Sequence, residues 1–209
     1  DDPYATLRAD VTYQGFHAQV LSPRRETPDG MRGGAWYIDP YSALDSVHYT
    51  SYFKRDLRRT MPWTCTVVDD PDLMRDRIAR IDAALRGGTS NGPQMLVSGT
   101  TLRTYRLANA CTGEYAAFHG GTVALAQSAI VTAINRVTGV YETELAIRMV
   151  LVANNSSVVY TNSATDPYTN NSGSTMLSQN QNTMTSVIMS ANYDIGHVFS
   201  TGGGGVAGL

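Results

Sequence analysis

The chain has 209 residues, 42% of them hydrophobic and 16% charged, with a formal net charge of −2. That apolar content excludes a mostly disordered chain, and the near-neutral balance leaves no electrostatic footprint for nucleic acid or an anionic membrane. No apolar run reaches the roughly 18–20 residues that cross a bilayer, so no membrane span is expected. The charge is unevenly placed: fourteen of the sixteen Lys+Arg residues lie at or before Arg106. The length suits one large domain or two small ones, and this asymmetry favours two pieces with different surfaces.

The first piece alternates between short apolar runs and turn residues. Ala9–Tyr13, His17–Leu21, Gly34–Ile38 and His48–Phe53 read as strands, with Pro23, Pro28-Asp29-Gly30 and Asp39-Pro40 as turns. Asp70-Pro71-Asp72 opens a helix carried by Leu73, Arg77, Ile81 and Leu85 and stopped at Gly87-Gly88. Thr89–Pro93 reads as a linker. A small β-rich unit over residues 1–90 is therefore expected to precede a second unit over 91–209.

In the second piece the period changes. Leu102–Ala108 reads as a strand, and His119-Gly120-Gly121 precedes a helix with Val123, Ile130, Ile134 and Val137 on one face. Leu145–Val152 reads as a well-buried strand, Met176–Met189 as a second helix and Tyr193–Phe199 as a further strand. The order β-α-β-α-β implies an α/β core, and the whole chain an α+β fold. Four glycines, Gly202–Gly205, then lead into Val206-Ala207-Gly208-Leu209, which has the makings of an edge strand open to an extended peptide.

Isolated residues offer little chemistry. His17, His48, His119 and His197 include no pair at i,i+4, so no metal-binding helix is legible. The glycine run lacks the Gly-Lys-Ser/Thr ending of a phosphate loop, and no Gly-x-Ser-x-Gly elbow is present. Asp166–Gly173 offers one carboxylate, too few for a calcium site, and reads as a surface loop. Glu114 reads as a cap or structural partner. Cys65 and Cys111 allow at most one internal disulfide, and spacing alone does not decide whether it forms. The second half is rich in Asn, Ser, Thr and Gly, a surface typical of secreted proteins. Asn154-Asn155-Ser156-Ser157 and Asn170-Asn171-Ser172 fit the N-glycosylation pattern of a eukaryotic secretory route.

Three segments carry a resemblance. Thr104–Tyr115, Met149–Asn155 and above all Asn192–Leu209 resemble the bacterial reprolysin-like zinc metallopeptidases of the metzincin clan. Trp36–Tyr41 and His48–Asp56 look like the pro-region of the same proteins. The resemblance implies a β-rich pro-region followed by the upper catalytic subdomain, with a mixed twisted sheet and two helices. Residues Gly204, Gly205, Val206, Ala207, Gly208 and Leu209 then match the strand that forms the upper rim of the substrate cleft. The family's His-Glu-x-x-His-x-x-Gly-x-x-His helix is not in this sequence, so the zinc ligands and the general base are expected outside it. By this reading the chain is one portion of a secreted, extracellular or periplasmic zymogen. Alone it is inactive, and it works with a C-terminal half on peptide or protein substrates. Cys65 is then a candidate latency thiol, with a structural or disulfide role as the alternative, and Cys111 a candidate partner for it. Arg86-Gly87-Gly88 is a candidate processing site. The competing reading is a non-catalytic secreted binding or structural module with a protease-like fold.

Overall fold

The computed structural model describes residues 5–26, 32–58, 101–202 and 205–207. The expected helix over 70–85, the linker at 89–93, the unit boundary, the candidate processing site and Cys65 lie outside them. The four N-terminal strands form. They are β1 (Thr6–Thr12), β2 (Gly15–Glu26), β3 (Arg32–Pro40) and β4 (Tyr49–Phe53), joined as an antiparallel meander in that order. Pro23 and Asp39-Pro40, expected as turns, lie within β2 and β3, Pro23 where the β2–β3 register shifts between Ser22 and Glu26. The β1–β2 turn closes at Gly15, whose φ of +108° suits glycine. Arg8 pairs with Gln19, Asp10 with His17, and Tyr37 with both Gln19 and Tyr52. Side chains alternate between faces, so these residues and Asp39 line one polar face of the sheet.

The second unit runs β5 (Arg103–Cys111), α1 (Gly113–Phe118), α2 (Val123–Leu145), β6 (Ile147–Leu151), α3 (Gly173–Thr183) and β7 (Ile195–Phe199). Thr112 and Thr122 start α1 and α2 by accepting from the amides of Tyr115 and Leu125. The three strands are parallel in the order β6-β5-β7. The chain steps from β5 to β6 on one side and back past β5 to β7 on the other. Right-handed crossovers therefore place α2 and α3 on opposite faces. Leu107 and Cys111 of β5 pack with Ala126, Ile130 and Ile134 of α2, while Ala108 and Ala110 pack with Met176, Met184 and Ile188 beneath α3. The α+β class expected from the sequence is thus observed, as an antiparallel sheet beside a parallel sheet with helices. The antiparallel member of a mixed sheet is not among the three described strands of the second unit.

Several local expectations need correction. Ile130 and Ile134 are buried, but Val123 and Val137 are 41% and 38% exposed, because Ala126 and Ala129 take the inward positions. β6 is an edge strand among the described residues and only half-buried, with Val150 48% exposed. The second helix starts at Gly173 rather than Met176, and after Thr183 it loosens into a π-helical turn, Met184–Ile188. That turn ends at Met189 with φ +68°. Cys111 carries a free, fully buried thiol. Burial pushes that thiol up to about 11, so it stays protonated.

α2 is long and apolar enough to cross a membrane, contrary to the sequence expectation. Here it lies between two sheets instead. Its opposite stripe, Thr132, Asn135, Arg136, Gly139 and Glu142, meets the polar face of the N-terminal sheet. Asp10 accepts from Thr132 (2.6 Å) and Asn135 (3.0 Å), Arg136 meets Asp39 (2.5 Å) and Arg8 pairs with Glu142. The Arg136 guanidinium also lies 4.8 Å from the centre of the Tyr37 ring. Asp39 is further held by His17 Nδ1 (2.6 Å) and by the Tyr52 hydroxyl. Burial and the neighbouring carboxylate push that hydroxyl up to about 12, keeping it a donor.

Burial alone raises the Asp39 pKa. The bonds from His17, Tyr52 and Arg136, with the guanidinium charge, outweigh it and hold the carboxyl below its ordinary 3.8. A pKa lowered on folding contributes stability that is full above the unfolded value and is lost as pH falls through the folded one. The urea midpoint of the parent should therefore drop as pH falls below 3.8, and Asp39→Asn should flatten that drop. In the core, Ile130→Ala should cost about 2–5 kcal/mol and the half-exposed Val137→Ala under about 1, read from urea unfolding at neutral pH.

Candidate functional site

Open α/β sheets bind ligands at the carboxyl ends of the strands, where successive connections leave on opposite faces. In the order β6-β5-β7 that place lies between β5 and β7, while the β5–β6 end is filled by the chain's own side chains. Asn155 accepts from the Asn109 amide (2.7 Å) and donates to the Asn109 carbonyl and to Gln127 (3.0 Å each). Both asparagines are buried. At the start of α1, Asp166 accepts from the amides of Gly113 (2.7 Å) and Tyr168 (2.8 Å). A side chain at Gly113 would sit 2.1 Å from the Ser163 nitrogen, so only glycine lets the 162–168 loop seat there. Asp166 thus ties the start of α1 to the 162–168 loop.

The larger opening lies along β7. A cleft of about 590 Å³ runs between β7, the start of α3 and the segment at Gly205-Val206. Its wall is fixed by Asn170, whose Oδ1 accepts from Thr112 Oγ1 (2.8 Å) and the Thr201 amide (3.0 Å) while its Nδ2 donates to Thr201 Oγ1 (2.8 Å). Gly202 lies so close that a Cβ there would meet the Asn170 carbonyl at 2.6 Å. Val206 packs on Gly173, where a Cβ would meet its Cγ2 at 2.7 Å. Met176, Asn180, His197 and Phe199 line the interior. Tyr168 donates to Asn180 (3.0 Å), fixing that amide from below.

The near end of β7 is held by Arg106, which pairs with Asp194 (2.8 Å) and donates to the Ala191 carbonyl (2.7 Å). Bonds from the Arg106 side chain and amide lower Asp194 to about 2. Asp194 raises Arg106 in turn. His197 has one edge toward the cleft and its Nδ1 against Asn109 Oδ1 (3.0 Å). The groups packed around its ring lower its basicity.

Of the rim residues expected from the sequence, Gly205 forms a single β-bridge, and Val206 and Ala207 stand outside any described ladder. Gly205 and Val206 line the cleft. Gly204, Gly208 and Leu209 lie outside the described residues. Asn170, Gly173 and Asn180 were not singled out as functional, and Asn170-Asn171 gave only loop and glycosylation signals. Glu114 sits in the first turn of α1.

No three His, Cys, Asp or Glu side chains come together as a metal site among the described residues. Each histidine has another role: His17 on Asp39, His48 on Asp45 (3.1 Å), His119 against the Tyr115 ring (4.4 Å) and His197 on Asn109. Burial lowers the His119 pKa.

A three-stranded parallel sheet thus lies between two helices, with a cleft along its last described strand. Comparison with protein-family models matches residues 101–207 to the family described as Metallo-peptidase family M12B Reprolysin-like. The match covers just over half of the 209 residues, and the chain belongs to that family. Neither the curated proteins nor the solved structures give a match. The family implies zinc for the whole protein, but the described residues do not supply a ligand set for it.

Asn170→Ala should release the turn after β7 while leaving the core intact. Amide exchange at Thr201 is expected to quicken about fivefold to tenfold, with β5 unchanged.

Proposed function

We propose that this chain is the N-terminal portion of a secreted zinc-dependent endopeptidase, supplying a pro-region and the upper rim of the substrate cleft. The observation that carries this reading is the cleft along β7, closed at one end by Val206 against Gly173 and lined by polar amides. An extended substrate strand would lie along the rim segment 204–209 and be held by main-chain hydrogen bonds, with Asn180 and His197 facing its side chains. Zinc, when bound by the whole protein, supplies the activated water for peptide-bond hydrolysis. The described residues only position the substrate, and without the metal helix this chain is inactive. Secretion is supported by the charge-poor surface of the second half.

The test is to read the encoded sequence beyond Leu209 and express the longer protein. A His-Glu-x-x-His helix, one zinc per chain and peptide cleavage abolished by Glu→Gln in that motif are the expected results. A stop codon directly after Leu209, or a longer protein that neither binds zinc nor cleaves peptides, sinks the reading in favour of a binding module.

Cys65 is the proposed latency thiol. Intact-mass measurement after alkylation should find one label on the native chain, at Cys65, and a second at Cys111 only in denaturant. Absence of any label in denaturant would mean a Cys65–Cys111 disulfide and would end the latency proposal.

A further inference from the structure

The outer stripe of α2 has no part in the cleft, yet it is one of the most closely matched surfaces in the molecule. Thr132, Asn135, Arg136, Gly139 and Glu142 recur at helical spacing, covering about 15 Å of the helix. Each finds a counterpart on the N-terminal sheet. Asp10 takes Thr132 and Asn135, Asp39 takes Arg136 and Glu142 takes Arg8. Gly139 supplies the space, since a Cβ there would meet Arg8 Cγ at 2.6 Å. Gln14 adds a bond to the His119 carbonyl beyond α1 (3.3 Å). The helix side presents Arg136 and Glu142 and the sheet side Asp39 and Arg8 opposite them, so a docking shifted by that spacing would place like charges together.

Three features distinguish this surface from a domain core cut in two. The facing residues are polar on both sides, as in interfaces between separable units. Two of the carboxylates keep partners of their own if the units part: Asp39 has His17 and Tyr52, and Glu142 has Arg148 (2.5 Å). Finally, no described residue of 5–58 lines the cleft along β7, so a bound sheet and an open cleft are compatible.

We propose that residues 5–58 are a self-docking cap that holds to the outer stripe of α2 without needing the covalent link through residues 59–100. Cutting that link leaves a two-chain complex, with the cap retained on the back of the subdomain. The cap's retention is independent of the peptidase reading and would hold equally for a binding module.

The test uses the full chain with a specific protease site inserted between Gly87 and Gly88. After complete cutting, the two fragments should co-elute on size exclusion at micromolar concentration. Asp10→Ala, on the sheet side, and Gly139→Val, on the helix side, should each weaken the complex about tenfold or more. Two separate peaks from the cut parent overturn the proposal. So does a complex that neither variant weakens, because its hold then lies elsewhere. Amide protection in β5 reports whether each variant still folds. Should Gly139→Val lose it, Asp10→Ala decides alone, since its side chain lies on an edge strand.

Discussion

The structure depends on α2 being buried on two sides by two different chemistries. Its Ala126-Ile130-Ile134 stripe presses into the parallel sheet, where apolar area leaves water. Its Thr132-Arg136-Gly139 stripe meets carboxylates and an arginine of the antiparallel sheet. A helix of 23 residues with no charge in its first turn gains little from its own ends, so its stability comes from these flanks. The inner flank is indifferent to pH, whereas the outer one is built on ionised groups.

A second constraint follows from the strand order. Placing β5 between β6 and β7 puts the switch point of the sheet between β5 and β7 and leaves the β5 and β6 carboxyl ends a space of their own. Here Asn109, Asn155, Gln127 and Asp166 occupy it with hydrogen bonds already satisfied. Filling that place with protein moves the accessible concavity outward to β7, where the chain's last described residues return against α3. The small residues serve this shift. Gly173 and Gly202 let backbone and Val206 close in on the cleft, and Gly196 lets β7 approach Met184.

The strands of both units were legible because alternation and turn residues agree there, from Ala9–Tyr13 through Tyr193–Phe199. The helix α2 was legible as an element but not in its facing. The large Val123 and Val137 suggest one face, while the small Ala126 and Ala129 set the buried side. The polar stripe of α2 reads in sequence as a solvent face, because nothing local reveals that Asp10 and Asp39, about a hundred residues away, will cover it. Burial of β6 was overstated because a run of apolar letters does not say whether a strand is central or at an edge. The cleft was half legible: the glycine run pointed to it, but Asn170 and Gly173 act through contacts that only the fold creates. Family membership came from residue order in 104–115 and 192–209, not from any cluster of catalytic types.

Thr112 joins the core strand to the cleft wall. Its single hydroxyl oxygen accepts from the Tyr115 amide (3.2 Å) and gives its one proton to Asn170 Oδ1 (2.8 Å). The first bond starts α1 at the end of the central strand, and the second anchors the residue that shapes the cleft wall. A hydroxyl has only one proton to give, so its direction is committed once Asn170 takes it. The inner end of the cleft is therefore registered to the core strand through one rotor, and serine could reproduce it where valine, of the same shape, could not. Evolution of a wider or narrower cleft in this scaffold would have to proceed from the α3 side, leaving this joint alone.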